Sequence, residues 1–200
     1  MTSIPLMIDM AGKTIVVIGG GNIAQRRVTS LLESGARITV ISPQVTPTLQ
    51  AFHDQTNIIW RKKHVTAEDL IDAFMIIVAT NNHDINQFVR DHAPAYSLIN
   101  ATDDASKGDV QFTSVVRRGK LSLAISTSGA SPTLTKKIKQ QLEETYDESY
   151  EGYVDFLFHA RQRIKNSNLS IQEKSRILKQ LVDEDYFDPG KQKQWLEDFQ

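Results

Sequence analysis

The sequence contains no cysteine. That excludes disulfides, thiolate metal sites and a cysteine nucleophile together. It fits a reducing compartment, and a cytoplasmic location is the expectation. An excess of one charge is also missing: 23 basic residues against 24 acidic ones give a formal net charge of -1. A nearly neutral chain has no global field to gather nucleic acid or an anionic membrane. Long hydrophobic runs are lacking too. The apolar stretches are strand-sized, so no membrane span is expected. The opening MTSIPLMIDMAGK has no basic leader and meets a charge at Asp9, so no secretory signal is read there. His53, His64, His83, His92 and His159 show no metal-ligand spacing, and no bound metal is expected.

What is present is 200 residues, 40% hydrophobic and 24% charged, enough for one large domain or a medium one with an appendage. Up to about residue 112 two periods alternate. TIVVI (14–18), RITVI (37–41), NIIWR (57–61), FMIIVAT (74–80) and YSLIN (96–100) read as strands. Helical spacing comes after GGGN, with Ile23, Ala24, Val28, Leu31 and Leu32 on one stripe and Gly35 placed to end it. Further helices are predicted over 47–54, 67–73 and 85–92. Strands alternating with helices imply a parallel sheet, so the fold class is α/β. The pattern then changes. VQFTSVV (110–116) and KLSLAIST (120–127) read as a strand pair around Arg118-Gly119. Ser131 and Pro132 open a helix to about 144, SIQE (170–173) is a capping box, and Asp188-Pro189-Gly190 is a turn before a short last helix.

Gly19-Gly20-Gly21-Asn22-Ile23-Ala24 satisfies G-x-G-x-x-A after a buried strand and at the start of a helix. The glycines permit a tight turn and let the backbone approach a pyrophosphate. Ala24 lets helix and strand pack closely. The free N–H groups of the helix N-terminus then face the phosphates. A glycine-rich turn in another α/β fold is the bland alternative. The ribose-binding acid usual after the second strand is missing. Ser42, Gln44 or the backbone of Ser42-Pro43-Gln44 must serve instead. No Lys or Arg falls between Arg37 and Arg61, so no clamp for a 2′-phosphate is evident, which points to NAD over NADP. Thr80 and Asn81, with Asn82, come after the fourth strand and should lie at the cofactor edge.

PLMIDMAGKTIVVIGGGNIAQRR, VISPQ, VATNN, INATDDA and FTSVVRRGKLSLAISTSGASPTLTKKIKQQLE, in that order, resemble the siroheme-synthase amino-terminal family. These are the precorrin-2 dehydrogenases, some of which also insert iron into sirohydrochlorin. The resemblance covers about residues 4–144. Its two specific features are the GGGNIAQRR loop-helix and the SLAISTSGASPTLTKKI segment. It implies a Rossmann domain over 1–112, a small dimerisation region over 113–145 and a helical domain over 146–200 that closes the substrate cleft. It also implies a homodimer and a tetrapyrrole substrate.

From the residues alone, Asp103 and Asp104 are a pair of loop acids, or caps for the structure after them. The resemblance implies an acid–base group that aligns with Asp103, with Asp104 as the fallback. Adjacent carboxylates can also push one pKa up. Basic side chains should receive the substrate's carboxylates. The clusters are Arg117, Arg118 and Lys120; Lys136, Lys137 and Lys139; and Arg161, Arg163 and Lys165. Each also reads as a solvated face, and Ser126-Thr127-Ser128 as either a carboxylate site or plain capping. Two other functions fit the same motifs: a regulatory dimer that senses NAD, and a Rossmann dehydrogenase with another substrate.

Overall fold

The computed structural model describes residues 3–199, apart from the side chains of Ala105 and Glu184. It divides into two compact units, one up to Phe112 and one from Thr113 on. In the first, β1 (Thr14–Ile18), β2 (Arg37–Ile41), β3 (Ile59–Arg61), β4 (Met75–Val78) and β5 (Leu98–Ala101) form one parallel sheet in the order β3-β2-β1-β4-β5. The order reverses at β1, and that reversal opens the crevice at the carboxyl edge where doubly wound sheets bind ligands. β1 is buried on both faces. Ile15 and Val17 enter a core with Ala24, Val28 and Leu49, while Val16 and Ile18 enter a second with Leu70, Ile76 and Val89. This is why TIVVI shows no polar alternation. α1 (Asn22–Leu31) covers the first core through Ala24, Val28 and Leu31. A 3-10 turn over Leu32–Ser34 continues it, and Gly35 ends that turn at φ 71, the left-handed conformation that glycine adopts without cost. α2 (Pro47–Asp54) lies where the sequence predicts it, started by the Thr46 side chain and Pro47.

Several boundaries differ from the sequence reading, for α3 and β3 through local bonds and for 67–73 and 110–116 through partners farther along the chain. α3 (His83–His92) starts two residues early, because the Asn82 side chain accepts from the Asp84 and Ile85 N–H groups at 2.9 and 3.1 Å. β3 starts late, because Thr56 is left-handed (φ 61) and the Asn57 N–H is taken by Phe52. The helix expected over 67–73 is only a 3-10 turn over Ala67–Leu70. The Phe74 N–H already bonds Thr14 O at 2.9 Å, which commits the chain to β4. The strand expected over 110–116 is shifted. Asp109 and Val110 both donate to Ile99 O, and Asn100 Nδ2 donates to Val110 O at 2.8 Å, so this stretch is pinned beside β5.

In the second unit β6 (Ser114–Arg118) and β7 (Leu121–Ile125) form an antiparallel hairpin around Gly119-Lys120. α4 (Pro132–Thr145) is capped by Ser131, whose side chain accepts from the Leu134 N–H at 3.1 Å. α5 (Ser149–Asn166), α6 (Ile171–Gln180) and α7 (Pro189–Asp198) enclose an aromatic-rich core of Tyr153, Phe156, Ala160, Ile164 and Leu181. Ser170 and Glu173 form the expected capping box of α6. Asp188 caps α7, so Pro189 and Gly190 belong to its first turn rather than to a turn before it. No helix among the described residues is long and apolar enough to cross a membrane.

Asp69 ties the end of β3 to the 3-10 turn. Its carboxylate accepts from the Thr66 backbone at 2.9 Å and pairs with Arg61 and Lys63, each at 2.8 Å, with its side chain only 3% exposed. Burial raises its pKa, but the bonds from Lys63, Thr66 and Arg61 outweigh that and bring it to about 2. A carboxylate depressed on folding stabilises above its ordinary pKa of about 4, and that contribution fades as pH falls through the folded value. The stability gap between the natural chain and Asp69→Asn should therefore be largest near neutrality and close between about pH 4 and pH 2. Urea unfolding across that range is the check; a gap that does not change with pH would contradict it.

Candidate functional site

The sheet brings four loops to one edge: 19–24 after β1, 42–46 after β2, 79–82 after β4 and 102–104 after β5. The first is the most constrained. The Gly19 N–H donates to Ile41 O at 3.0 Å, and Gly20 O accepts from the Thr46 N–H at 2.9 Å. A Cβ on Gly19 would collide with the carbonyl of Ala79, and one on Gly20 with the carbonyl of Gln44. Gly19 also sits at φ +111, which L side chains rarely adopt. These two glycines let the neighbouring loops close onto the end of β1. Gly21 differs. A Cβ there would meet nothing within 4 Å, so what its missing side chain leaves open is the approach from outside.

Gly21 is also the N-cap of α1, and no side chain caps that helix. Asn22, Ile23 and Ala24 thus present N–H groups without helical partners, beside the positive end of the helix dipole. Exposed space over Gly21 together with an uncapped helix start fits a diphosphate. When bound, a nicotinamide dinucleotide would be held there by the backbone of 20–24. Gln44 and Ser42 flank it: Gln44 faces Gly20 through its carbonyl, and Ser42 is fixed by its own carbonyl, which accepts from Trp60 Nε1 at 2.9 Å. Ser42 and Pro43 directly follow the carboxyl end of β2. On the other side, Thr80 Oγ1 accepts from the Asn82 N–H at 2.8 Å, which shapes the exposed turn carrying Asn81.

Asp103 comes just after β5. Its Oδ2 accepts from Asn86 Nδ2 at 3.0 Å and lies 3.7 Å from Arg90 Nη1. Asn86 Nδ2 also donates to Thr80 O at 3.1 Å, so one buried amide joins the loops after β4 and β5. Asn86 and Arg90 were not among the candidates from the sequence. The signal was there: Ile85, Asn86, Val89 and Arg90 recur at helical spacing, and two of the four are polar on a face turned inward. Asp104 has another job. Its side chain accepts from the Ser106 hydroxyl at 2.6 Å and backbone at 3.0 Å, capping the adjoining 3-10 turn. Those bonds hold its carboxyl below the usual range, with a smaller contribution from Lys107. The upward push that adjacent acids could give is therefore not found at Asp104.

The basic clusters divide. Arg118 pairs with Glu148 at 3.5 Å and donates to Glu143 O, Lys120 pairs with Asp155, Lys139 pairs with Glu143 at 3.5 Å, and Arg163 donates to the carbonyls of Leu196 and Phe199. Arg117, Lys136, Lys137, Arg161 and Lys165 make no ion pair among the described residues. Thr127 Oγ1 accepts from the Ser131 N–H at 3.2 Å and Ser126 Oγ from the Ser128 N–H at 3.0 Å, so the hydroxyl-rich loop serves its own turn and the start of α4. No group of three or more His, Asp and Glu side chains among the described residues could hold a metal ion.

Comparison with known proteins agrees with this layout. An NAD(P)-binding family model matches residues 6–114, a sirohaem biosynthesis protein central model matches 118–145, and the SirC C-terminal domain matches 150–195. The chain is 41% identical to a precorrin-2 dehydrogenase of Priestia megaterium over 90% of both chains. It is 35% identical to one of Bacillus subtilis over 80% of this chain and 99% of the other. A siroheme synthase of Actinobacillus pleuropneumoniae is 27% identical over 90% of this chain but only 37% of its own length. A solved structure described as SirC, precorrin-2 dehydrogenase, superposes with a TM-score of 0.85 at 38% identity, over 98% of both chains. A parallel sheet with an uncapped, glycine-fronted helix, together with 41% identity to a precorrin-2 dehydrogenase over 90% of both chains, places the chain in the precorrin-2 dehydrogenase family.

Proposed function

We propose that this chain oxidises precorrin-2 to sirohydrochlorin at the carboxyl edge of its parallel sheet, with NAD as hydride acceptor and Asp103 as proton acceptor. One observation carries the site: the open, glycine-fronted start of α1 and a carboxylate tethered on one oxygen share that edge. Dehydrogenation removes a hydride and a proton from the macrocycle, and the cofactor supplies the hydride acceptor. The chain's own residues hold the diphosphate at 20–24, seat the adenosine ribose at Ser42-Pro43-Gln44, and frame the opposite side with Thr80 and Asn81. Asp103 Oδ2 is held by Asn86, and Oδ1 accepts no hydrogen bond among the described residues. That leaves one oxygen to take the proton. Basic side chains should receive the substrate's carboxylates, and of the three clusters Arg117, Lys136, Lys137, Arg161 and Lys165 make no ion pair among the described residues.

The preference for NAD rests on the β2 loop, which offers no cation between Ile38 and Trp60. Arg61, at the end of β3, and Lys63 beyond it are already paired with Asp69, and Lys62 lies 5.8 Å from the centre of the Trp60 ring. Calorimetric titration should show tighter binding of NAD than of NADP. Gly21→Val should lose most of that affinity while melting like the natural chain, because its side chain would enter open space. Gly20→Val should instead destabilise the fold. Tighter binding of NADP, or natural NAD affinity in Gly21→Val, would contradict this use of the loop.

The reading includes a homodimer that pairs through residues 113–145. A lone two-stranded hairpin is marginal in water, and here it carries a helix, α4, none of whose residues is fully buried. Val115 and Leu134 stay 37% and 48% exposed. Light scattering should give about twice the chain mass of 22.5 kDa. A monomer at micromolar concentration would refute the pairing.

Asp103→Asn keeps size and polarity but cannot accept a proton. Dehydrogenation should slow by about 10²–10⁴, with NAD affinity nearly unchanged and Asp104→Asn much milder. Near-normal turnover in Asp103→Asn would assign the residue a structural role.

A further inference from the structure

We propose that Asn86 and Arg90 are positioning residues for the dehydrogenation, setting the direction of the Asp103 carboxylate without touching the substrate. The proposal rests on the reading of Asp103 as proton acceptor. Both residues lie on α3, four apart, and so on one face of the helix. Asn86 is 1% exposed. Its amide nitrogen makes two bonds, to Thr80 O at 3.1 Å and to Asp103 Oδ2 at 3.0 Å. Arg90 is held from behind, where its Nη2 donates to Gln87 Oε1 at 3.0 Å, and its Nη1 lies 3.7 Å from the same Asp103 oxygen. Its side chain is 12% exposed against 18% for Asp103.

Two atoms in this group have no hydrogen-bond partner although buried: Asn86 Oδ1 and Arg90 Nη1. A leucine at 86 would fill the space between α3 and the sheet without an orphan acceptor. A methionine at 90 would do so without an orphan donor. Polar groups left short of partners in a packed interior call for a reason other than packing. Here that reason is the carboxylate they share. Both contacts fall on Oδ2, so they fix one oxygen and turn the other outward. Because Asn86 also grips Thr80 O, the direction of Asp103 is set relative to the loop after β4, which frames the cofactor. A base must sit within hydrogen-bond reach of the proton it takes, and small misplacements are costly.

The test is a double-mutant cycle. Single-turnover dehydrogenation rates, KM for precorrin-2, NAD affinity and melting temperature are measured for Arg90→Met, Arg90→Lys and Asn86→Leu. Each substitution is made in the natural chain and in Asp103→Asn. In the natural chain Arg90→Met and Asn86→Leu should slow turnover about tenfold to a hundredfold, with KM and NAD affinity within about threefold. Arg90→Lys, which keeps the charge, should recover most of the rate. In the Asp103→Asn chain the same substitutions should change the rate less than twofold, because the group they act through is gone. Equal losses in both backgrounds would show a general structural role and overturn the proposal, as would unchanged rates in the natural chain. Asn86→Leu and Arg90→Met lie on different bonds, so one remains informative if the other does not fold. Should Asp103→Asn alone turn over normally, the reading of Asp103 itself fails. That result is separate from a cycle in which Asp103→Asn is slow but the α3 variants are not.

Discussion

Gly19 and Gly20 sit where the end of β1 is hemmed in by two neighbouring carbonyls, those of Ala79 and Gln44. No side chain can stand there, so the loops after β2 and β4 close directly onto the loop after β1. Their bonds depend on that contact: Gly19 N–H to Ile41 O, Thr46 N–H to Gly20 O, and Ala79 N–H to Ile18 O at 2.8 Å. The start of α1, the cap of α2 and the turn before α3 are thus parts of one tightly closed edge. Gly21, one residue further, is free of that constraint. The motif has two functions in three residues: the first two glycines build the edge, and the third leaves it open.

β5 brings a carboxylate to that edge. A parallel strand delivers its carboxyl end beside those of β1 and β4, so the residues after Ala101 arrive at the crevice whatever their type. Thr102 anchors the turn, its N–H and Oγ1 both donating to Val78 O, at 3.1 and 2.8 Å. Asp104 is committed to capping the next turn, and Asp103 contacts α3 through Oδ2 while Oδ1 accepts no hydrogen bond among the described residues. Two adjacent acids of identical type are therefore separated in role by their hydrogen bonds.

Much of this was legible because the signals were local. Pro47–Asp54, the Gly35 stop, the Ser131-Pro132 start and the Ser170–Glu173 box each depend on residues within a turn of one another, and the structure forms them as read. The glycine loop was legible because its neighbours in sequence announce a strand and a helix. The larger errors lie where a partner is distant in sequence. The helix expected over 67–73 stops early because Phe74 pairs with Thr14, and the strand expected over 110–116 yields to β5. Asn86 and Asp103 are 17 residues apart, and no periodicity links them. The resemblance to a family could name Asp103 but not the residues behind it, since they meet it only once α3 packs on the sheet.

The proposed reaction transfers a hydride from precorrin-2 to NAD at this edge, beyond merely binding the cofactor. Its most direct measurement is the ultraviolet–visible spectrum of the purified chain mixed anaerobically with precorrin-2 and NAD. The account predicts that sirohydrochlorin and NADH rise together, in equal amounts, at a rate proportional to enzyme. NAD bound with no change in the precorrin-2 spectrum would contradict it, and would make the chain a sensor of its cofactor rather than a dehydrogenase.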